Sequence, residues 1–201
     1  MKPTAGSTAD EVLAVVLQKL ALRSDGIFAD IGCGSGKVSI AAAPLVREVY
    51  AIDRRPGSIA YAREQAVAAG VGNPAKAGRL TDVGEARFGG SATSVGNIRF
   101  LEGEAPGVLG SLPAPDRAFI GGSGNISAVI EALAAAGTGR IVASCVRIET
   151  LGEAVSTMRR LGIFHESLLI QVARSHDLAG GTMFVPANPV YLVIGGADPC
   201  S

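Results

Sequence analysis

Residues 30–39, DIGCGSGKVS, place three glycines within five positions, directly after the apolar run Ile27-Phe28-Ala29 and directly before a helix-like segment. A strand, a glycine-rich turn and a helix start make a cradle for a nucleotide-like ligand. Glycine lets a ligand approach the backbone, and the first-turn amides of the helix carry partial positive charge. Around this turn, β-rich and helical runs alternate. IFADI comes first, with a helix expected over 36–45, then EVYAID, a helix over 57–69, NIRFLEG, DRAFIGG, a helix over 124–136, RIVASCV and a helix over 150–161. Such alternation predicts an α/β fold, a mostly parallel sheet with helices on both faces. Upstream, TADEVLAVVLQKLAL over 8–22 repeats Val12, Val15, Val16 and Leu20 at helical spacing behind Thr8, a residue suited to an N-cap, so a helix leads into the sheet.

The end of the chain breaks the rhythm. From Phe164 to Ile194 two β-rich stretches, FHESLLIQVA and MFVPANPVYLVI, follow one another with no helix between, so they are expected to pair antiparallel at one side of a seven-stranded sheet. Seven strands with a terminal antiparallel hairpin match the Rossmann-like core of class I methyltransferases. A second break is the stretch 71–96, crowded with Gly, Ala, Ser and Thr and lacking periodicity, which reads as a flexible surface insertion into an otherwise single domain spanning 1–201.

At 201 residues the chain is long enough for one well-cored domain and short for two. Eighteen basic residues balance eighteen acidic ones, so no global field gathers a polynucleotide and a nucleic-acid partner is disfavoured. Cys33, Cys145 and Cys200 are odd in number and lack metal-ligand spacing, with only two histidines to help them. A reducing cytoplasm and no metal are the expectation. No apolar run approaches the roughly 20 residues of a membrane span, and the N-terminus has no signal-like core, so no membrane partner is expected.

The glycine pattern selects among cofactors. A dinucleotide fingerprint requires G-x-G-x-x-G, and Lys37 stands where its third glycine belongs. What is present, Asp30, Gly32, Gly34 and Gly36 as D-x-G-x-G-x-G, resembles motif I of S-adenosylmethionine-dependent methyltransferases, with Cys33 turning its backbone toward the ligand. Asp53 closes VYAID at the tip of the next strand, where a carboxylate can accept both ribose hydroxyls of an adenosine. Both aspartates suit turn capping as well. In LEGEAP, residues 101–106, Gly103 makes the turn, Glu104 is placed to reach an adenine amino group and the Ala105 amide a ring nitrogen.

Longer stretches carry a narrower resemblance. DIGCGSGKVSIAAA, VYAIDRRPGSIAYAREQA, NIRFLEGEAP, AFIGGSG, GRIVASCVRIETL and ARSHDLAGGTMFVPANPVYLV resemble the precorrin methyltransferase–decarboxylase family of cobalamin biosynthesis, from about Thr8 to Ile194. The resemblance implies S-adenosyl-L-methionine as cofactor, methylation of carbon 15 of a precorrin or cobalt-precorrin, decarboxylation of its ring C acetate, and a homotetramer. Glu104 departs from the pattern, an Asp being commoner there, and so does the insertion.

For such a substrate the turn after the fourth strand is informative. Gly121-Gly122-Ser123-Gly124 stands where base-methylating enzymes carry an Asn/Asp-Pro-Pro-aromatic tetrad, and its small residues leave space for a large flat ring; a plain strand-to-helix turn reads the same way. The carboxylates of a corrin precursor call for arginine forks, and Arg54, Arg147 and Arg174 lie near strand ends or on the last hairpin. Arg174 is expected to hold the acetate and His176, in a loop beside Asp177, or water to deliver a proton; Met183 suits lining the macrocycle or packing in the core. Another small-molecule or protein methyltransferase, or a cofactor-binding subunit without turnover, shares motif I and Asp53.

Overall fold

The structure, a computed structural model, describes residues 8–71, 92–122 and 124–198. In chain order these residues form α1 (Asp10–Leu20), β1 (Ile27–Ile31), α2 (Lys37–Ala42), β2 (Glu48–Asp53), α3 (Pro56–Ala68), β3 (Ala92–Val95) and β4 (Ile98–Glu102). Then follow β5 (Arg117–Gly121), α4 (Ile126–Ala135), β6 (Arg140–Cys145), α5 (Ile148–Arg160), β7 (Phe164–Ile170), β8 (Ala173–Leu178), β9 (Gly181–Pro186) and β10 (Val190–Gly195). Eight strands make one sheet in the order β3-β4-β2-β1-β5-β6-β10-β7, and β8 and β9 pair only with each other. From β4 to β6 every pairing is parallel; β10 runs antiparallel between β6 and β7, and β3 runs antiparallel to β4.

The near-continuous apolar character of IFADI and EVYAID follows from burial on both faces, and all eleven residues of β1 and β2 are buried. Alternate side chains go to opposite sides. Phe28 faces Val12, Val16 and Leu20 of α1 together with Val38 and Ala42 of α2, whereas Ile27, Ala29 and Ile31 join Ile126, Val129 and Ile130 of α4 and Met158 of α5. Val16 and Leu20 are fully buried, worth about 1.5–3 kcal/mol apiece. Helix starts follow local chemistry: Pro56 opens α3, its fixed φ suiting the first turn, and Asp10 and Glu11 lie at the positive end of the α1 dipole.

Three expectations change. Ala9, not Thr8, is the N-cap of α1 and there is no side-chain cap; the Thr8 carbonyl instead accepts a 2.5 Å hydrogen bond from Lys37 Nζ. The terminal stretches do pair antiparallel as β7 and β10, but they do not follow one another directly, because β8 and β9 leave the sheet between them as a separate arm. Pro186 and Pro189, which cannot donate to a ladder, end β9 and precede β10, and the Ala187 amide closes the arm's base on the Val172 carbonyl at 2.8 Å. At the other edge, residues 92–95 of the expected insertion form β3, which pairs antiparallel with β4 and makes the sheet eight-stranded rather than the expected seven; residues 72–91 lie outside the described residues. Among the described residues, no helix is long and apolar enough to cross a membrane.

Candidate active site

A cleft of about 280 Å³ opens at the carboxyl ends of β1, β2, β4 and β5. Strand order reverses there, β1 lying between β2 and β5, so the loops leaving these strands diverge and expose backbone. Gly32 and Gly121 meet across the floor so closely that a Cβ on either would lie 3.0 Å from the other's carbonyl oxygen. Gly32 also adopts φ +76°, so both steric requirements select glycine.

The glycine loop is tied to its surroundings on all sides. Gly32 and Cys33 both donate their amides to the Ile52 carbonyl, at 2.8 and 2.9 Å, and Gly34 donates to Asp53 Oδ2 at 3.0 Å. Cys33 therefore does not offer its amide to a ligand, and its thiol is buried; desolvation, then the charges of Asp30 and Asp53, push it well above the ordinary thiol range. Gly36 is a packing glycine, since a Cβ there would meet the Ala62 Cβ of α3 at 2.9 Å. Asp30 lies beneath the loop rather than in the cleft. Its Oδ2 accepts the Ser39 amide at 2.9 Å and the Ser39 hydroxyl at 2.5 Å, pinning α2 to β1.

Asp53 is the best-held carboxylate of the cleft. Its side chain is 3% exposed. Oδ1 accepts the Arg55 amide and Nε, each at 3.0 Å, and Oδ2 accepts the Gly34 amide at 3.0 Å and an Arg55 guanidinium nitrogen at 3.1 Å. Burial pulls its pKa upward, but the bonds from Arg55 and Gly34 outweigh that and hold it below the ordinary aspartate value. Beside it the Asp53 carbonyl accepts the Gly103 amide at 3.1 Å, and Asn125 donates to the Ala105 carbonyl at 2.8 Å, clasping the β4 and β5 loops together. Arg54 and Glu104 form an exposed 3.4 Å pair at the rim.

The cleft thus gathers Gly32, Asp53, Arg54, Gly103, Glu104 and Ala105 along one side and Gly121, Gly122 and Gly124 along the other; Ser123 lies outside the described residues. Arg147 is not among its lining residues. It sits exposed after β6, paired at 3.3 Å with Glu149. Arg174, His176 and Met183 are likewise not brought to the cleft, because all three lie on the exposed β8–β9 arm. His176 is in β8, opposite Met183, and not in a loop, and Arg174 grips both oxygens of Glu11 of α1 at 2.7 Å. Sequence reasoning missed Arg55 and Asn125, both of which line the cleft. The signal for Arg55 was its place two residues after Asp53, within reach of a strand-tip carboxylate.

A parallel sheet whose glycine loop, strand-tip carboxylate and small-residue turn converge on one cleft defines a class I, Rossmann-like methyltransferase fold. The chain belongs to the precorrin methyltransferase domain family, whose model matches residues 5–194. It is 42% identical over 197 residues to the probable cobalt-precorrin-6B C(15)-methyltransferase (decarboxylating) of Methanosarcina acetivorans, covering 96% of this chain and 94% of that one. Among solved structures it resembles the precorrin 8W decarboxylase of Methanobacterium thermoautotrophicum, with a TM-score of 0.79, 31% identity, and coverage of 96% and 92%. It also resembles the precorrin-6y C5,15-methyltransferase of Geobacter metallireducens, with a TM-score of 0.77, 31% identity, and coverage of 96% and 93%.

Proposed function

We propose that this chain methylates carbon 15 of a precorrin or cobalt-precorrin and decarboxylates its ring C acetate, in cobalamin biosynthesis, with S-adenosyl-L-methionine as methyl donor. The family match over residues 5–194 supports the substrate, and the observation that carries the cofactor is the position of Asp53. A buried, ionised carboxylate at the tip of β2 faces a cleft whose opposite wall is backbone and small residues. That donor and acceptor set fits an adenosine: Asp53 for the ribose diol, and Glu104 and the Ala105 amide for the adenine edge; Gly103 is required by packing, since a Cβ there would meet the Val108 side chain at 3.2 Å. When bound, the cofactor supplies a methyl group already activated by its sulfonium.

The chain's part in methylation is positioning, since a reduced tetrapyrrole's bridging carbon is itself nucleophilic. The Gly121–Gly122 turn offers a flat wall for the macrocycle, and Arg54, at the rim, meets one of its carboxylates. Decarboxylation needs an electron sink, which the conjugated ring provides, and a proton for the new methyl carbon. What the protein adds is an acetate held out of water. Because Arg174 and His176 lie on the arm, away from the cleft, proton delivery within one chain falls to water at the cleft mouth, and these two residues belong to the arm's association face.

That face is the basis for proposing a homo-oligomer, a tetramer by family resemblance. Leu178, Met183 and Val185 are exposed on one face of a two-stranded hairpin, with Phe184 exposed on the other, and such a unit is marginal by itself in water. The deciding experiment is anaerobic incubation of the purified protein with a precorrin and the methyl donor, following methyl incorporation and carbon dioxide release together. Both are expected in equal amounts. Methylation without carbon dioxide, or neither, overturns the reading.

A further inference from the structure

Asp53 has no acceptor capacity left. A carboxylate offers about four lone-pair sites, and Asp53 already takes four hydrogen bonds. Two come from backbone amides, of Gly34 and Arg55, fixed by the glycine loop and the start of α3. The other two come from the Arg55 side chain, one to each oxygen, and that side chain is 45% exposed. A ribose diol also needs one acceptor on each oxygen, and Arg55 lines the same cleft.

We infer that the Arg55 guanidinium holds the two acceptor positions of Asp53 that a ribose diol takes, so that cofactor binding is an exchange. The inference rests on the cofactor reading of the cleft given above. The buried carboxylate stays neutralised until the diol arrives, and no stage leaves a desolvated charge without donors. The two backbone bonds persist throughout and keep the carboxylate aimed. Once displaced, the guanidinium stands beside Arg54 at the wall of the cleft, adding positive charge for a polycarboxylate substrate only after the cofactor is in place. Arg55 thereby sets an order of binding, cofactor before substrate.

The test is calorimetric titration of S-adenosylhomocysteine into the wild-type protein, Arg55→Ala and Arg55→Lys. Removing a competing, partly exposed ion pair is expected to tighten binding about three- to fivefold in Arg55→Ala, with Arg55→Lys in between because an ammonium cannot fork. The advantage should shrink with added salt, which screens the competing pair in the wild type. With cofactor saturating, the corrin substrate's KM should rise at least about threefold in Arg55→Ala and recover in part with lysine. Unchanged or weaker S-adenosylhomocysteine binding by Arg55→Ala, against normal wild-type binding, overturns the exchange while the cofactor reading stands. An unchanged KM overturns the substrate role of the freed guanidinium. Binding by none of the three proteins sinks the cofactor reading itself.

Discussion

Asp30 has no contact with solvent, and only one of its two oxygens is bonded within the described residues, to Ser39. Desolvation raises its pKa to about 6, more than the two Ser39 bonds lower it. An acid with a folded pKa above its unfolded one keeps an extra proton in the folded state between about pH 4 and pH 6, so it costs stability as pH rises through that window. The shift is on the order of 3 kcal/mol, fully expressed near pH 7. Asp30→Asn keeps an acceptor for the Ser39 amide and removes the titration. It is expected to be more stable than the wild type near neutrality, with the advantage vanishing as pH falls toward about 4, read from denaturant midpoints. Parallel curves for the two proteins across that range would refute the assignment. The placement of Asp30 was legible after all: strand parity puts it with Phe28, on the face that α2 covers, and away from the cleft. The glycine spacing that suggested a ligand contact has no such directional content.

At the scale of elements, the first turn of α1 is a junction. Asp10 pairs with Lys37 at the head of α2 at 2.7 Å, and Glu11 holds Arg174 of the arm. Lys37, which broke the dinucleotide fingerprint, is thus an anchor between helices. Directly opposed residues of the arm share a face, so Arg174, Val185, His176, Met183 and Leu178 lie together. An apolar strip edged by one arginine and one histidine suits a second copy of itself better than water. Leu178→Glu places a charge in that strip, where Leu178 is 59% exposed, and is expected to reduce the mass measured by light scattering to that of a smaller assembly, with the melting temperature of the sheet little changed. His176→Ala should leave methyl incorporation and carbon dioxide release within about twofold of wild type, since buried ionic chemistry is not being removed. Loss of carbon dioxide release alone would instead return His176 to proton delivery, across an interface. The arm was not legible as a separate element, because ARSHDL of β8 is mostly polar, lacks the alternation of a strand and reads as a loop. That β8 and β9 find no place in the sheet depends on pairing between distant strands, which is not a local signal.

For the molecule as a whole, the alternation of strands and helices predicted the parallel core because each element there is set by local periodicity, whereas the sheet's order depends on which strands cross over. The cleft follows from that order. It exists because β1 is flanked by β2 on one side and β5 on the other, and because the loops after β1 and β5 approach to backbone contact. Two glycines of one turn then have opposite meanings. At Gly121 an added Cβ would lie 3.0 Å from the Gly32 carbonyl oxygen and 3.1 Å from the Phe119 ring, and neither the backbone nor the buried ring has room to retreat. Gly121→Ala is expected to cost about 1–3 kcal/mol of stability and to weaken S-adenosylhomocysteine, because the contact it breaks shapes the cleft floor. At Gly124 an added Cβ meets nothing within 4 Å and the backbone is not left-handed. Gly124→Ala should therefore melt like the wild type and bind S-adenosylhomocysteine equally well, yet turn over the corrin substrate more slowly, since a methyl group there intrudes only on what lies above the turn. Thermal unfolding, calorimetry and methyl incorporation on the two variants separate the roles. If Gly124→Ala methylates at the wild-type rate, the turn's small residues serve the chain's own path from strand to helix, and the macrocycle must lie elsewhere along the rim, toward Arg54.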